Sequence, residues 1–216
     1  MVPIAFIKND YKEKFGIPRQ SGLVSLRSQI VLEPNFRDEN ALRGVEDFTH
    51  IWLIWGFSAA QTDGFSPTVR PPRLGGNVRK GVFATRSPFR PNSLGLSAVR
   101  LVSVSGFTLT VEGADLMSGT PIYDIKPYLP YADSLPGASN GWALSERGGL
   151  LSVEFPEELL EKIPSEKRRG LLETLAQDPR PQYQSAPERL YTMAFGEFQV
   201  SFKIMNNALT VTDVRK

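Results

Sequence analysis

Over the first 130 positions, apolar residues come in short runs, broken by glycine and proline, that are too brief and too closely spaced for helices. Ile4 to Ile7 ends at Asn9-Asp10, and Leu23 to Leu32 is closed by Glu33-Pro34-Asn35. Phe48 to Phe57 is a nearly unbroken apolar stretch, rich in β-branched and aromatic residues. Each reads as a strand, the third as one covered on both faces at the centre of the core. Val82 to Thr85 and Leu96 to Val104 read as two more, the latter running into a Ser105-Gly106 hairpin turn. Phe107 to Glu112 alternates with period two, one face core and the other wet, and Ile122 to Lys126 follows a turn containing Gly119 and Pro121. Asp38 is placed to cap a short helix over Glu39 to Arg43, stopped by Gly44. So many short strands with almost no helix predict a mainly β fold built on a closed or nearly closed barrel, because an open sheet would leave its edges exposed.

The pattern changes between about Tyr128 and Gly149, where Pro130, Pro136, Gly137 and Gly141 interrupt it. We place the division there: a barrel domain over 1–140 and a small C-terminal α+β domain over 141–216. In the second unit, Leu151 to Phe155 reads as a strand, and Pro156 leads a helix from Glu157 to Ile163. Ser165 is expected to cap another helix running to Gln177, with Leu171, Leu172 and Leu175 on one face. Asp178-Pro179-Arg180-Pro181 stops it. Two strands follow, Tyr191 to Phe195 and Phe198 to Ile204, then an Asn206-Asn207 turn and a last strand around Leu209 to Val211. A unit this small is marginal alone, so it is expected to pack on the barrel or on a second subunit.

Composition narrows the chemistry. The 216 residues are 41% apolar, enough for one good core and a small second one. Cysteine is absent, which removes disulfides, thiolate nucleophiles and cysteine zinc sites, and the lone His50 cannot build a histidine cluster. His50 reads better as a ring held by one backbone partner than as a base, and no metal is expected. No run reaches the roughly 20 apolar residues that span a bilayer, and the amino terminus lacks the build of a secretory signal. With no cysteine, this points to a soluble protein of the reducing cytoplasm.

Charge is segregated. Gly64 to Val111 contains no Asp or Glu but holds Arg70, Arg73, Arg79, Lys80, Arg86, Arg90 and Arg100; with a net charge of +2, the remainder carries −5. Such a distribution suits a protein that docks a polyanion on one face and stays soluble on the others. Within the basic third, Pro88 and Pro91 stiffen the loop Arg86-Ser87-Pro88-Phe89-Arg90-Pro91-Asn92-Ser93-Leu94-Gly95, so two guanidinium groups can be held for phosphate or carboxylate. The same residues equally describe a proline-rich connection whose arginines pair with acids elsewhere. There is no G-x-G-x-x-G opening a helix, no P-loop, no H-E-x-x-H and no G-x-S-x-G.

The run GVFATRSPFRPNSLGLSAVRL from Gly81, preceded by Arg70-Pro71-Pro72-Arg73-Leu74-Gly75-Gly76-Asn77 and followed by Gly119-Thr120-Pro121-Ile122-Tyr123-Asp124-Ile125-Lys126-Pro127-Tyr128-Leu129-Pro130, closely resembles the TrmO/YaeB family of tRNA methyltransferases. The likeness extends over the first two thirds of the chain. Asp178-Pro179-Arg180-Pro181-Gln182-Tyr183 resembles the tail motif of the bacterial branch, although it also reads as a helix stop and linker. One departure is Ser93, where the family usually has proline, and slightly more loop freedom is expected from it.

The resemblance implies a homodimer, with S-adenosylmethionine as methyl donor and the exocyclic N6 of N6-threonylcarbamoyladenosine at position 37 of tRNA, beside the anticodon, as acceptor. It implies donor contacts from Ser21, Gly22, Leu23, Ser58, Ala59, Arg86, Leu96, Leu116, Met117, Ser118 and Gly119. RNA contacts are expected from Arg70, Arg73, Arg79, Lys80, Arg90 and Arg180. For the chemistry it points to Asp124, with Lys126, Tyr128 and Asn92: Asp124 to accept the amine proton or orient the amine, Tyr128 to stack on the base and Asn92 to read a base edge or bridge the turn. Asp124 and Lys126 also read as a structural ion pair. The rival from a different class is a non-catalytic barrel that binds RNA or another anion through its basic third.

Overall fold

The computed structural model describes residues 1–58, 65–71, 74, 77–143, 149–180 and 189–216. The chain runs β1 (Ala5–Lys8), β2 (Arg27–Leu32), α1 (Glu39–Leu42), β3 (His50–Gly56), β4 (Thr68–Val69), β5 (Lys80–Gly81), β6 (Leu94–Ser105), β7 (Thr108–Glu112), β8 (Pro121–Pro127) and α2 (Pro130–Asp133). It continues with β9 (Ser152–Glu154), α3 (Glu157–Leu160), α4 (Ser165–Ala176), β10 (Tyr191–Phe195), β11 (Phe198–Met205) and β12 (Ala208–Arg215).

Six strands close into a barrel in the order β1-β2-β7-β6-β3-β8, every neighbouring pair antiparallel. Closure leaves no free edge. Ile7, Ile30, Ile51, Leu53, Val99, Leu109, Val111 and Ile122 point inward, each 1% exposed or less. The twelve-residue β6 serves both sides of the barrel: its first half pairs with β3 and its second with β7, with a bulge at Leu101/Ser103 taking up the bend. The run from Phe48 to Phe57 is central as expected, but one of its faces is only half covered: Trp52 and Ile54 sit on the barrel's outer wall while Ile51, Leu53 and Trp55 are buried.

The remaining four-stranded sheet has the order β10-β11-β12-β9, with β9 parallel to β12. Three local expectations are corrected. Val82–Ala84 is a turn of 3-10 helix rather than a strand, because the preceding Lys80-Gly81 pairs with Thr68-Val69 as a two-stranded ribbon and Val82 folds inward. Ser165 is the first helical residue of α4, not its cap; Pro164 takes the cap position, with no side-chain cap. The strand expected from Leu23 begins only at Arg27, because Val24 and Leu26 leave the barrel for the second core. The cap at Asp38 is present, its carboxylate accepting from the Asn40 amide at 2.8 Å.

The connection from Asn9 to Leu26 joins the two cores. Tyr11, Val24 and Leu26 are buried among Leu171, Leu175, Phe195 and Phe202 of the C-terminal sheet and helix. Burying three such side chains contributes on the order of 5 kcal/mol. Polar contacts fix the register: the Tyr11 hydroxyl lies 3.0 Å from Thr174 Oγ1, Lys167 Nζ 2.7 Å from Asp10 Oδ1, and the Ala194 amide donates to Glu13 at 2.9 Å. Helix α4 approaches closely because position 170 has no side chain; a Cβ there would stand 2.8 Å from Leu26 Cδ1. Ser25 donates to Glu173 Oε2 from its hydroxyl at 2.6 Å and also from its amide, while Arg169 donates to Oε1 at 2.8 Å.

Burial alone would raise the Glu173 carboxyl, but the donations from Ser25 and Arg169 outweigh it and hold the group below its ordinary value. A carboxylate lowered in the folded state stabilises the fold above its unfolded pKa, and that contribution is lost as pH falls through the folded value. Glu173→Gln is therefore expected to cost about 1 kcal/mol at neutral pH. Its stability should also fall less steeply than that of the wild type below about pH 4.5. Denaturant titrations at neutral and acid pH check this, and parallel pH profiles for the two proteins would contradict it.

Candidate functional site

A hollow of about 640 Å³ opens on the barrel beside the start of β6. Its floor depends on a missing side chain. Gly95 pairs with Trp55 in the β3–β6 register, and a Cβ at Gly95 would fall 2.2 Å from Trp55 Cε2. With only hydrogen there, the indole lies against the β6 backbone and its Nε1 donates to Ser97 Oγ at 3.0 Å. Ser97 in turn donates to Asp115 Oδ1 at 2.6 Å. Burial raises the Asp115 carboxyl above its ordinary value, and the Ser97 hydroxyl and the Arg86 charge offset this only in part. Trp55, Phe57, Leu96 and Met117 form apolar walls around this one carboxylate, with Arg86 at the rim. Such a site takes a small amphoteric ligand: the carboxylate answers a cation, the guanidinium answers an anion, and the volume lies within the roughly 300–1,000 Å³ of ordinary small-ligand sites.

Arg86 also links two loops, its Nη1 donating to Gln20 Oε1. Arg19, Gln20, Thr85, Arg86, Pro88 and Phe89 form a wall shared with a second hollow of about 1490 Å³ on the other side. Into that larger space face Phe65, Phe83 and Trp142 with Arg70 and Arg79, and its described lining includes no acid. Trp142 is held there by donation from Nε1 to the Ala84 carbonyl at 3.0 Å.

The expected site residues divide. Arg86, Leu96 and Met117 line the smaller hollow, and the Ser21 backbone reaches Asp115. Gly22 and Gly119 both have positive φ, and their amides donate to Gly113 O and Ile7 O, each at 2.8 Å. Leu116 is buried in the barrel core, and Leu23 packs against the C-terminal core. Ser118 faces the 9–26 connection, its amide donating to Tyr11 O at 2.8 Å. Ser58 is exposed just beyond β3, and Ala59 lies outside the described residues. Arg70 and Arg79 line the larger hollow, whereas Lys80 sits in the β4–β5 ribbon and Arg73 lies outside the described residues.

Several assignments need correction. Asp124 Oδ2 pairs with Lys126 Nζ at 2.9 Å on the outer wall, and although pairing through Ile54 and Trp52 sets them on the face that also carries Leu96, neither lines a hollow. The Tyr128 ring is not itself in either lining, but it lies 5.3 Å from that of Trp52, which lines the smaller hollow, and 6.3 Å from that of His50. His50 is exposed, with Nδ1 3.0 Å from Thr49 Oγ1. Asn92 is exposed at the tip of its turn and lines neither hollow. Arg90 Nη1 donates to the Thr85 carbonyl at 2.7 Å and more weakly to Val82 and Ser87, so this guanidinium braces its own loop. Arg180 Nε donates to both oxygens of Asp178 at 3.0 and 3.1 Å. Ser93 does not loosen its turn: at φ 40°, which proline cannot adopt, its hydroxyl donates to Pro88 O at 3.0 Å and its carbonyl accepts from Phe57.

Asp115, Ser97, Trp55 and Gly95 went unremarked in the sequence as site residues. The available signal was position: Asp115 immediately precedes the Leu116-to-Gly119 segment and is one of the first acids after the basic span.

Residues 6–134 match the tRNA-methyltransferase O N-terminal domain and residues 149–216 the TrmO C-terminal domain. The chain is 42% identical over 221 residues to the tRNA (adenine(37)-N6)-methyltransferase of Escherichia coli strain K12, covering 96% of this chain and 94% of that protein. It is 46% identical over 160 residues to the Eikenella corrodens protein of the same name, covering 73% and 91%. The crystal structure of TrmO from Pseudomonas aeruginosa superposes with a TM-score of 0.80 at 34% identity, covering 99% of this chain and 97% of that one. With the barrel fold, these matches define a methyltransferase that acts on tRNA. The chain belongs to the tRNA-methyltransferase O family.

Because the Trp55 indole occupies the space beside Gly95, Gly95→Ala is expected to destabilise the protein by about 2 kcal/mol through overpacking. Thermal unfolding checks this, and a melting temperature equal to that of the wild type would show that the indole has another place to go.

Proposed function

We propose that this chain transfers a methyl group from S-adenosylmethionine to the exocyclic N6 of N6-threonylcarbamoyladenosine at tRNA position 37, working as a homodimer in the cytoplasm. The barrel domain, 1–140, carries the donor site, and the α+β domain, 141–216, supports the loop that walls it. The observation that carries this reading is the smaller hollow, where a half-buried carboxylate, Asp115, the one acid among the described lining residues, is set among apolar walls beside Arg86.

When bound, S-adenosylmethionine supplies an electrophilic methyl group on a positively charged sulfur. The residues present fit it. Asp115 balances the donor's positive charge, and the Ser97 hydroxyl and Trp55 N–H hold that carboxylate in one orientation. Arg86 faces the donor's carboxylate from the rim, and Trp55, Phe57, Leu96 and Met117 exclude water, which strengthens each charge interaction inside. The basic wall above then draws the tRNA backbone to the mouth of the hollow. For the dimer, the support is the pair of large apolar side chains in and just after α2, Tyr131 87% and Leu135 72% exposed.

Donor affinity should fall as pH drops through the raised Asp115 value, because the protonated carboxyl offers no charge to a cation. Asp115→Asn is expected to weaken S-adenosylmethionine binding by about 2 kcal/mol, roughly thirtyfold, and to abolish that pH dependence. Calorimetry from about pH 8 down to the ordinary carboxylate range near pH 4 reads both, and a wild-type affinity flat across that whole range would argue against Asp115.

Activity is tested by incubating labelled donor with tRNA from cells able or unable to make the threonylcarbamoyl modification. Transfer to the modified tRNA alone is expected. Equal transfer to both would leave an adenine-37 methyltransferase without this substrate requirement, and no transfer to either would favour a non-catalytic binding module.

A further inference from the structure

The larger hollow lies beside the candidate donor site and shares one wall with it. At about 1490 Å³ it exceeds the roughly 1,000 Å³ at the upper end of ordinary small-ligand sites, so its size suits a stretch of polymer better than a single metabolite. Phe83 is 75% exposed, Phe65 50% and Phe89 41%. Large apolar side chains clustered in the open mark a binding surface rather than a packing fault. They are also held in place. Buried Val82 anchors the turn carrying Phe83, and the Arg90 guanidinium stands 5.9 Å from the Phe83 ring centre while donating to the carbonyls of Val82 and Thr85. Trp142, at the start of the C-terminal unit, is fixed by its bond to Ala84.

Four arginines, Arg19, Arg70, Arg79 and Arg86, line the same space, with no acid among the described lining residues. Rigid aromatic faces interleaved with guanidinium groups are the chemistry that recognises unpaired nucleotides, because every base offers a face for stacking and every phosphate a charge. Duplex bases keep their faces hidden from such rings.

We infer that this hollow is a stacking subsite for the single-stranded nucleotides flanking the methylated base, with Phe83 as its principal platform, Trp142 as the opposing ring and Arg70 and Arg79 on the phosphates. Phe89 stands in the wall common to both hollows, so a strand lying in the larger one crosses at Arg86-Phe89 to reach the mouth of the smaller. The subsite rests on the tRNA-methyltransferase reading only for the identity of the base delivered; the affinity of the groove for unpaired RNA is a separate property.

The test is fluorescence anisotropy of a labelled, unmodified anticodon stem-loop oligoribonucleotide with the full chain, at several salt concentrations between about 50 and 200 mM. Phe83→Ala is expected to weaken binding about tenfold at every salt concentration without changing the salt slope, and Phe83→Tyr to stay within about twofold of wild type. Arg79→Ala should instead lower the salt slope by about one. Calorimetric affinity for S-adenosylmethionine should be unchanged in Phe83→Ala, since that ring lines only the larger hollow; this also controls for loss of fold. Phe83→Ala binding within twofold of wild type, a blunt RNA duplex competing as well as the stem-loop, or no binding by the wild type would each overturn the subsite. Failure of the wild type to take up S-adenosylmethionine would overturn the enzyme reading instead and leave the anisotropy result standing.

Discussion

The connection from Asn9 to Leu26 is the constraint on which the rest of the structure depends. It leaves the barrel at β1, buries Tyr11 in the core of the C-terminal unit, passes through Arg19 and Gln20 as part of the wall between the two hollows, and buries Val24 and Leu26 in that same core before β2 begins. The close approach of α4 to Leu26 at Gly170 and the double donation from Ser25 to Glu173 set the depth at which this segment lies. The C-terminal unit is thus less a separate body than the clamp that shapes one side of the site. Its core is completed by residues from the opposite end of the chain, which is how a unit marginal by size alone comes to be well packed.

Around that frame, charge is arranged in two layers. The outer layer is the acid-free basic span, which gives the larger hollow its arginines. The inner layer is a single carboxylate, Asp115, set behind Arg86 and held by a Trp55-to-Ser97 relay. A polyanion and a cationic small molecule are opposite demands on one surface. Burial resolves them, because the carboxylate is screened from the approaching polymer by the wall that the polymer binds.

Much of this was legible in the sequence. Short apolar runs with glycine and proline turns foretold the barrel, because period-two burial and a closed edge are properties of the residues themselves, and the uncommon run from Gly81 to Leu101 identified the family. The site was less legible. Asp124 and Lys126 are chemically apt, but alternation along β8 settles only that they share a side; on that side they bond to each other, and neither enters the lining of a hollow. Asp115 is not legible as a site residue in the sequence, because its setting depends on Gly95 admitting the Trp55 indole from another strand, a juxtaposition that only pairing reveals. The resemblance places Arg90 and Arg180 among the RNA contacts. Their nearest partners, loop carbonyls and Asp178, lie within a few residues, but sequence does not show whether a guanidinium turns inward or outward.

The hydrogen bond from Arg86 to Gln20 sits where two occupants would meet, and thermodynamics then leaves no choice about reciprocity. Any adjustment of this bridge that favours one guest must be repaid in equal measure when the other arrives first, so the factor by which nucleic acid alters affinity for the donor equals the factor by which the donor alters affinity for nucleic acid. A single shared partition therefore makes the two binding events one cooperative equilibrium, whose sign is set by which way the Arg86 side chain swings.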